Sequence, residues 1–409
     1  MRNLGRLVVS ALSVPLLAAA RAQAQLVVEG LPLPGCDGAF AGPDPVDSPS
    51  GAAQRVLATM RMADLDGARR VLAVSWAAAR RREWTTTDLG WLTPALYWYL
   101  RASRDDGFAA GLAAEVDGPL RHMPPVDVRG TFALEALLAH ALLCRGGIVS
   151  ARGRHDAAGE WIELGVARWR EVERLTWQPG LGHFRPRCTG DDIVLPAPAD
   201  PAALIPAAAG MLLASDDRME RNLMSCSRRA CDGSAPERAA FHDATARAAA
   251  LAAAAQLADR PLRDAAWRAM VEALAHDAPA GESAARCLDA ALFAVTGVRL
   301  ATGVAVDEGW LRLRPWLPPG HEHVRLTHMI AEGATFDLDL SIRTGPSHDD
   351  ELDDPASPPP SGPRLRVRID LVSAATGSLR VILQGGGVQI VTTMAPGDRF
   401  ERSLTIDDP

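Results

Sequence analysis

The hydrophobic period of this chain changes once, and that change constrains its fold more than any other feature. From residue 51 to about residue 300 apolar side chains recur at helical spacing. From Trp310 onward they alternate. The run Trp310-Leu311-Arg312-Leu313-Arg314-Pro315 sends successive side chains to opposite faces, so one face of a strand meets a core and the other meets water. The turn Val306-Asp307-Glu308-Gly309 leads into this run and Pro318-Pro319-Gly320 leaves it; residues 324–327 and 335–342 then read as further strands. Helices first and strands afterwards predict two packed units.

The helical part divides into candidates at 51–62, 66–82, 88–103, 105–118, 130–145, 155–174, 200–213, 215–230, 238–258, 262–276 and 282–297. Asp64, Thr87 or Asp88, Asp127, Asp200, Ser215 and Ser283 stand where N-caps belong, and Gly146-Gly147, Gly233 and Gly297 where helices stop. Several helix starts recur at about forty residues, the mark of a repeated helix–turn–helix unit. An open solenoid and a closed toroid of helical hairpins both satisfy that recurrence. The long irregular insert 178–199 disfavours the solenoid, because long loops in compact domains usually carry function.

In the second unit, 303–345 plus 364–409, the stretches 363–371, 377–383, 388–393 and 399–406 alternate in the same way. Gly385-Gly386-Gly387 reads as a turn between two of them. The linker 345–362 is acidic and Pro-rich, a mobile excursion by composition. The fold class expected is therefore mainly α: an (α/α) toroid over 51–300, then a C-terminal antiparallel β-sandwich over 301–409. An independent C-terminal module is the alternative.

At the other end, Arg2 and Arg6 precede an apolar stretch, 7–20, too short to span a bilayer, and Ala22-Gln23-Ala24 follows as a small-x-small cleavage site. Residues 1–24 thus read as a secretory signal, with a mature chain starting near Gln25 and an extended leader over 25–50 rich in Gly, Pro, Asp and Ser. The expected location is secreted or periplasmic, with no membrane insertion after cleavage and no second membrane-length apolar stretch. All 43 basic side chains are Arg, while Asn and Tyr are scarce, a GC-rich codon signature rather than evidence for phosphate chemistry. The net charge of −7 makes nucleic acid and anionic membrane surfaces poor partners. Export permits disulfides, and Cys226 with Cys231 is the best local pair among six cysteines. No zinc-ligand spacing occurs, so neither a metal nor a cofactor is expected.

Three places resemble the six-hairpin glycosidase superfamily, the (α/α)6 toroids that include glucoamylases, rhamnosidases and maltose phosphorylases. Asp88-Leu-Gly-Trp-Leu-Thr-Pro-Ala-Leu-Tyr-Trp-Tyr-Leu100 followed by Asp105-Asp106 looks like an early helix of those families. The stretch from Asp200 through Met219 looks like their mid-barrel hairpin. The segment 288–297, its connector and 311–319 look like their last helix leading into a terminal β-sandwich. The resemblance covers about 80–345 and implies a carbohydrate partner.

Glycoside hydrolysis needs two carboxyls, one protonating the leaving group and one activating water or attacking. In a toroid these belong in loops just before inner helices. By resemblance Glu282, ahead of the final helix, is the best candidate base, with a first-turn dipole role as its competing reading. Glu135 and Asp192 are the two candidates for the partner acid. Trp84, Asp88 and Trp91 combine indole faces, which stack on sugar rings, with a carboxylate for hydroxyls, although Asp88 also suits a helix cap. Arg129 could clamp a hydroxyl or carboxylate, and His183 lies in the long insert, the preferred lid or subsite. His321, His323 and His328 read as surface residues. The first functional hypothesis is an exported, inverting glycoside hydrolase with Glu282 as base. The others are a non-catalytic carbohydrate-binding or envelope scaffold retaining the fold, and a helical-repeat interaction module. Oligomeric state is not legible.

Overall fold

The computed structural model describes residues 27–29, 48–61, 64–127, 129–188, 200–204, 217–232, 243–257, 259–276, 281–297, 310–343, 363–385 and 387–406. Among these, eleven α-helices precede the β-rich unit: α1 (Pro49–Arg61), α2 (Leu65–Arg81), α3 (Thr86–Ser103), α4 (Asp106–Glu115), α5 (Asp117–Arg121), α6 (Phe132–Ser150), α7 (His155–Thr176), α8 (Asp217–Asp232), α9 (Ala244–Leu257), α10 (Arg260–His276) and α11 (Gly281–Thr296). A 3-10 turn, Pro201–Leu204, lies between α7 and α8.

The helices close into a ring. α1 packs on α3, α3 on α6, α6 on the 3-10 turn, the turn on α9, α9 on α11, and α11 back on α1. The remaining helices lie outside this circuit; α2 and α7, for example, cover α3 and α6. Inner neighbours run parallel. A Cβ on Gly90 would touch Leu137 near the start of α6, and one on Gly147 would touch Tyr97 in the later half of α3. The N-termini of α3 and α6 therefore lie at one pole and their C-termini at the other.

Side-chain patterns explain the layers. Residues 88–102 of α3 and 135–149 of α6 have no exposed face, whereas α7 buries only one stripe that includes Trp161, Gly165, Trp169 and Val172. Along α3 and α6 the ring is a packed core, not a channel. α6 is also long and apolar enough to cross a membrane, contrary to the expectation of no such stretch beyond the signal; 89% of that window is buried inside the ring. An inner helix wrapped on all sides needs apolar residues all round for the same reason a membrane span does.

Several helix ends differ from the expectations. α3 is capped by Thr85, not by Thr87 or Asp88: the Asp88 amide donates to Thr85 Oγ1 at 3.2 Å, and the Thr85 amide donates to Asp88 Oδ2 at 3.0 Å. α6 is capped by Thr131 rather than Asp127, and α11 starts at Gly281, ahead of Ser283. Gly146-Gly147 does not stop α6. A Cβ at Gly147 would lie 2.5 Å from the Tyr97 ring, and one at Gly146 2.9 Å from Ile162. The pair lets α3 and α7 approach the α6 backbone. Ser215 and Gly233 lie outside the described residues.

The strands are β1 (Val27–Glu29), β2 (Trp177–Gln178), β3 (His183–Phe184), β4 (Trp310–Leu313), β5 (His323–Ala331), β6 (Ala334–Arg343), β7 (Arg364–Ala374), β8 (Leu379–Gly385), β9 (Val388–Met394) and β10 (Arg399–Thr405). One sheet has the order β1-β5-β6-β7-β10, all antiparallel; the other is β4-β8-β9. An all-antiparallel sandwich fails at β4, which pairs parallel with β8. The two are far apart in sequence, and a crossover connection of that length permits parallel pairing where a hairpin does not. Within the leader, Val27–Glu29 forms an edge strand that pairs Val27 with Thr327, and residues 30–47 lie outside the described residues.

The sandwich docks at the C-terminal pole of the ring. The β5–β6 turn is Glu332-Gly333, both at positive φ (53° and 70°), as a two-residue hairpin turn of mirror type requires. A Cβ on Gly333 would meet the Arg104 side chain at 2.8 Å, so only glycine admits this approach. Glu332 accepts from Arg101, whose Nε lies 3.1 Å from Oε2, and from Arg104 Nη2 at 3.3 Å; Arg101 Nη1 also donates to Tyr97 Oη at 3.1 Å. Arg101 and Glu332 are buried at this joint.

Cys226 and Cys231 do not form a disulfide, against the expectation that they pair. Five residues apart on α8, they point in different directions from one helix, and the Cys226 thiol donates instead to Asn222 Oδ1 at 3.6 Å.

Candidate functional site

The N-terminal pole of the ring collects the starts of α3, α6 and α11. The Arg286 guanidinium, in the second turn of α11, lies 5.9 Å above the Trp91 ring of α3. That contact brings the turn holding Glu282 to the same rim. Glu282 is in the first turn of α11, but its side chain lies outside the described residues. Asp192 lies outside them altogether.

The insert forms part of the rim. Its hairpin β2–β3 pairs Trp177 with Phe184 and Gln178 with His183. It then runs along the start of α6: the Phe132 amide donates to the Pro186 carbonyl and the Cys188 amide to the Gly130 carbonyl, each at 3.0 Å. Phe184 stacks on Phe132 at 4.6 Å and meets the rings of Trp169 and Trp177 edge-on at 5.8 and 5.0 Å. Asn222, fully buried on α8, accepts from the Phe184 amide at 3.0 Å and donates to the Ala203 carbonyl at 3.1 Å. One side chain thus ties the hairpin, α8 and the 3-10 turn together. The sequence reading missed Asn222, although a signal was present: it is one of two asparagines in the chain and sits among the apolar Met219, Leu223 and Cys226.

Glu135 is buried under this rim. Arg168 of α7 donates to its Oε2 at 2.5 Å, and the Asp127 amide to its Oε1 at 3.3 Å. Arg168 also reaches the Pro124 carbonyl at 2.9 Å. The pair therefore holds the 124–127 loop against α6 and α7. Nothing local in the sequence signals Arg168 as the partner, because it sits on another helix 33 residues on. Asp88 is likewise occupied: Arg82 donates to its Oδ1 at 2.6 Å while Oδ2 serves the cap. Cys188 is an inert thiol beside these carboxylates, pushed up to about 12 by burial first and then by the charges of Glu135 and Asp127.

Of the proposed sugar-binding residues, Asp88, Trp91 and His183 are buried, and His183 Nδ1 lies 3.1 Å from the Leu181 carbonyl. Trp84 is half-buried, edge-on to Trp76 at 5.0 Å. Arg129 is exposed, its amide donating to Asp127 Oδ1 at 2.8 Å. The structure thus brings Glu135, Arg129 and the hairpin to one rim. It does not bring Asp88 and Glu135 together as a free pair, since each carboxylate is held by its own guanidinium. Trp84 and Arg129 are the proposed residues that face solvent among those whose side chains are described.

No protein-family model matches the sequence, and no curated protein does. Solved structures do resemble it in fold. An α-L-rhamnosidase from Aspergillus terreus superposes with a TM-score of 0.62 at 10% identity, over 94% of this chain and 50% of that one. An α-L-rhamnosidase from Dictyoglumus thermophilum gives 0.55 at 10% identity, over 88% and 45%. A GH78 family rhamnosidase of Bacillus sp. GL1 gives 0.50 at 10% identity, over 72% and 36%. The chain thus spans half or less of each of these proteins, and at this identity it shares with them a fold, the six-hairpin (α/α)6 toroid with accompanying β-structure.

Proposed function

We propose that this chain is an exported glycoside hydrolase acting at the N-terminal mouth of its ring, with Glu282 as general base and Asp192 as its acid partner, and with inversion at the anomeric carbon. The observation that carries the reading is the closed circuit of inner elements together with the Arg286–Trp91 contact, which links the start of α11 to the start of α3. Trp84 and Arg129 supply an accessible indole and guanidinium for the sugar, while Asp88, Trp91 and His183 stiffen the wall behind them. Glu135, the other candidate acid, is engaged by Arg168, which supports a positioning role instead. The rhamnosidases of like fold make rhamnose-terminated glycosides the first substrates to try.

The test is turnover of an aryl-glycoside and oligosaccharide panel, rhamnosides included, by the purified protein and by Glu282→Gln. Loss of roughly 10²–10⁴-fold in kcat is expected from removing a general base. Equal turnover by both proteins removes Glu282 from the mechanism. N-terminal sequencing of the exported protein should begin at Gln25.

A second reading, a non-catalytic carbohydrate binder, draws on the engaged state of Asp88 and Glu135. It predicts oligosaccharide binding with no turnover and no effect of Glu282→Gln on release of product.

A further inference from the structure

A cavity of about 590 Å3 lies at the opposite pole from the mouth, between the start of α10, the 314–321 segment and the open end of the β-sandwich. That volume is in the range of small-molecule sites, roughly 300–1,000 Å3. Its walls differ in character. One is apolar, with Leu365, Leu404 and Ile406 from the sandwich. The other carries Arg260, Arg263 and Arg314 against a single carboxylate, Asp264.

Neither Arg263 nor Arg314 has an ion-pair partner among the described residues. Arg263 is 5% exposed; it donates to the Ala255 carbonyl at 3.1 Å and the Ala294 carbonyl at 3.5 Å, and its Nε finds no acceptor. Arg314 Nε donates to the neutral Gln384 Oε1 at 2.6 Å. Asp264 Oδ1 accepts the Trp316 indole N–H at 2.9 Å, and the charges of Asp264 and Asp259 offset Arg263 only in part, without a direct ion pair. Burial, and after it the charge of Arg314, pushes Arg263 down to about 10. The C-terminal ends of α9 and α11, which Arg263 touches, together offset about one further charge. Arg263 and Arg314 thus line the cavity with no direct carboxylate contact among the described residues, in a half-dry space where an incompletely satisfied guanidinium is costly.

We propose that this cavity binds a small amphiphilic oxyanion, its carboxylate or phosphate head between Arg314 and Arg263 and its apolar body against the sandwich wall. Planar guanidiniums match either head in bidentate geometry. The Trp316 ring, with the Arg263 guanidinium 5.5 Å from its centroid, forms the floor between the charged and apolar walls. The site is separate from the mouth, so it needs no catalytic residue there and stands whether or not the chain turns over glycosides.

Calorimetric titration of the full chain with octanoate, octyl phosphate, octyl glucoside and inorganic phosphate, all below micelle-forming concentrations, tests the proposal. Octanoate or octyl phosphate should bind one per chain, and the tighter of the two identifies the head group. Octyl glucoside, with the same tail and no charge, should bind far more weakly. Arg314→Gln should weaken the anion roughly tenfold or more, as loss of a charge-assisted hydrogen bond does, while Arg314→Lys, which keeps the charge but not the planar fork, should recover only part of that loss. Absence of binding by both anionic amphiphiles, equal binding of the glucoside, or unchanged affinity in Arg314→Gln would overturn it. So would inorganic phosphate binding as tightly as octyl phosphate, since the apolar wall would then contribute nothing. If Arg314→Gln does not fold, the preference of the wild-type chain for anion over glucoside decides alone.

Discussion

Glu135 shows how one buried charge can hold a rim. Arg168 and Glu135 are both almost wholly shielded from water, with side-chain exposures of 9% and 5%. Removing one partner of such a pair strands the other, a loss of about 3–5 kcal/mol. Glu135→Gln is expected to lower unfolding free energy by about 2–4 kcal/mol in a urea titration, the neutral amide keeping part of the contact. Full stability with loss of activity would instead make Glu135 part of the chemistry. His140, deep in α6, predicts a pH effect. Burial drives its imidazole down to about 3 from 6.5, its Nε2 sits 3.3 Å from Cys144 Sγ, and its Nδ1 has no partner. The unfolded chain therefore binds a proton that the folded chain refuses between pH 6.5 and about 3. Its contribution to stability is complete above the upper limit and falls as pH drops through that window, by at most about 1.4 kcal/mol per pH unit. Denaturation curves from about pH 7 to about pH 4 should slope less steeply in His140→Leu than in the wild type; equal slopes would rule His140 out as the source.

Helices and strands were legible because their signals are local. The switch of hydrophobic period at Trp310 is repeated in the observed order: apart from the short β1 and the β2–β3 hairpin, helices run to Thr296 and strands follow from Trp310. The errors came where one residue type serves two purposes. Asp88 lies at the start of a helix whether it caps or sits three residues in, and only its bond to the Thr85 amide decides. Gly146-Gly147 resembles a stop signal, yet it marks where two other helices come close to α6. Gly147→Ala should therefore destabilise by about 1–3 kcal/mol through overpacking against Tyr97, although alanine is the better helix former. A midpoint unchanged or raised in thermal melts would show that the ring has slack at this crossing. The described part of the insert, read from sequence as a loop, opens with a hairpin seated by Phe184 and Asn222. Its strands are two residues each, too short for alternation to register.

At the scale of the molecule, what matters is that the ring closes and that the sandwich docks at its C-terminal pole. Glu332 is the hinge of that arrangement, joining a β-turn to two arginines at the end of α3. Glu332→Gln should reduce stability by about 3 kcal/mol in denaturant unfolding, because Arg101 stays buried without its counter-charge. An unchanged midpoint would place the docking energy elsewhere in the joint. The sequence by itself determined the two-part plan, the number and extent of most helices, and the strands of the sandwich, since period, capping and turn chemistry act within a few residues. Only the tertiary structure decided which charges are occupied. Arg168 meets Glu135 and Arg101 meets Glu332, from positions 33 and 231 residues apart. Such partners are chosen by how whole elements stack, and burial then makes each pairing strong enough to set what its residues can do.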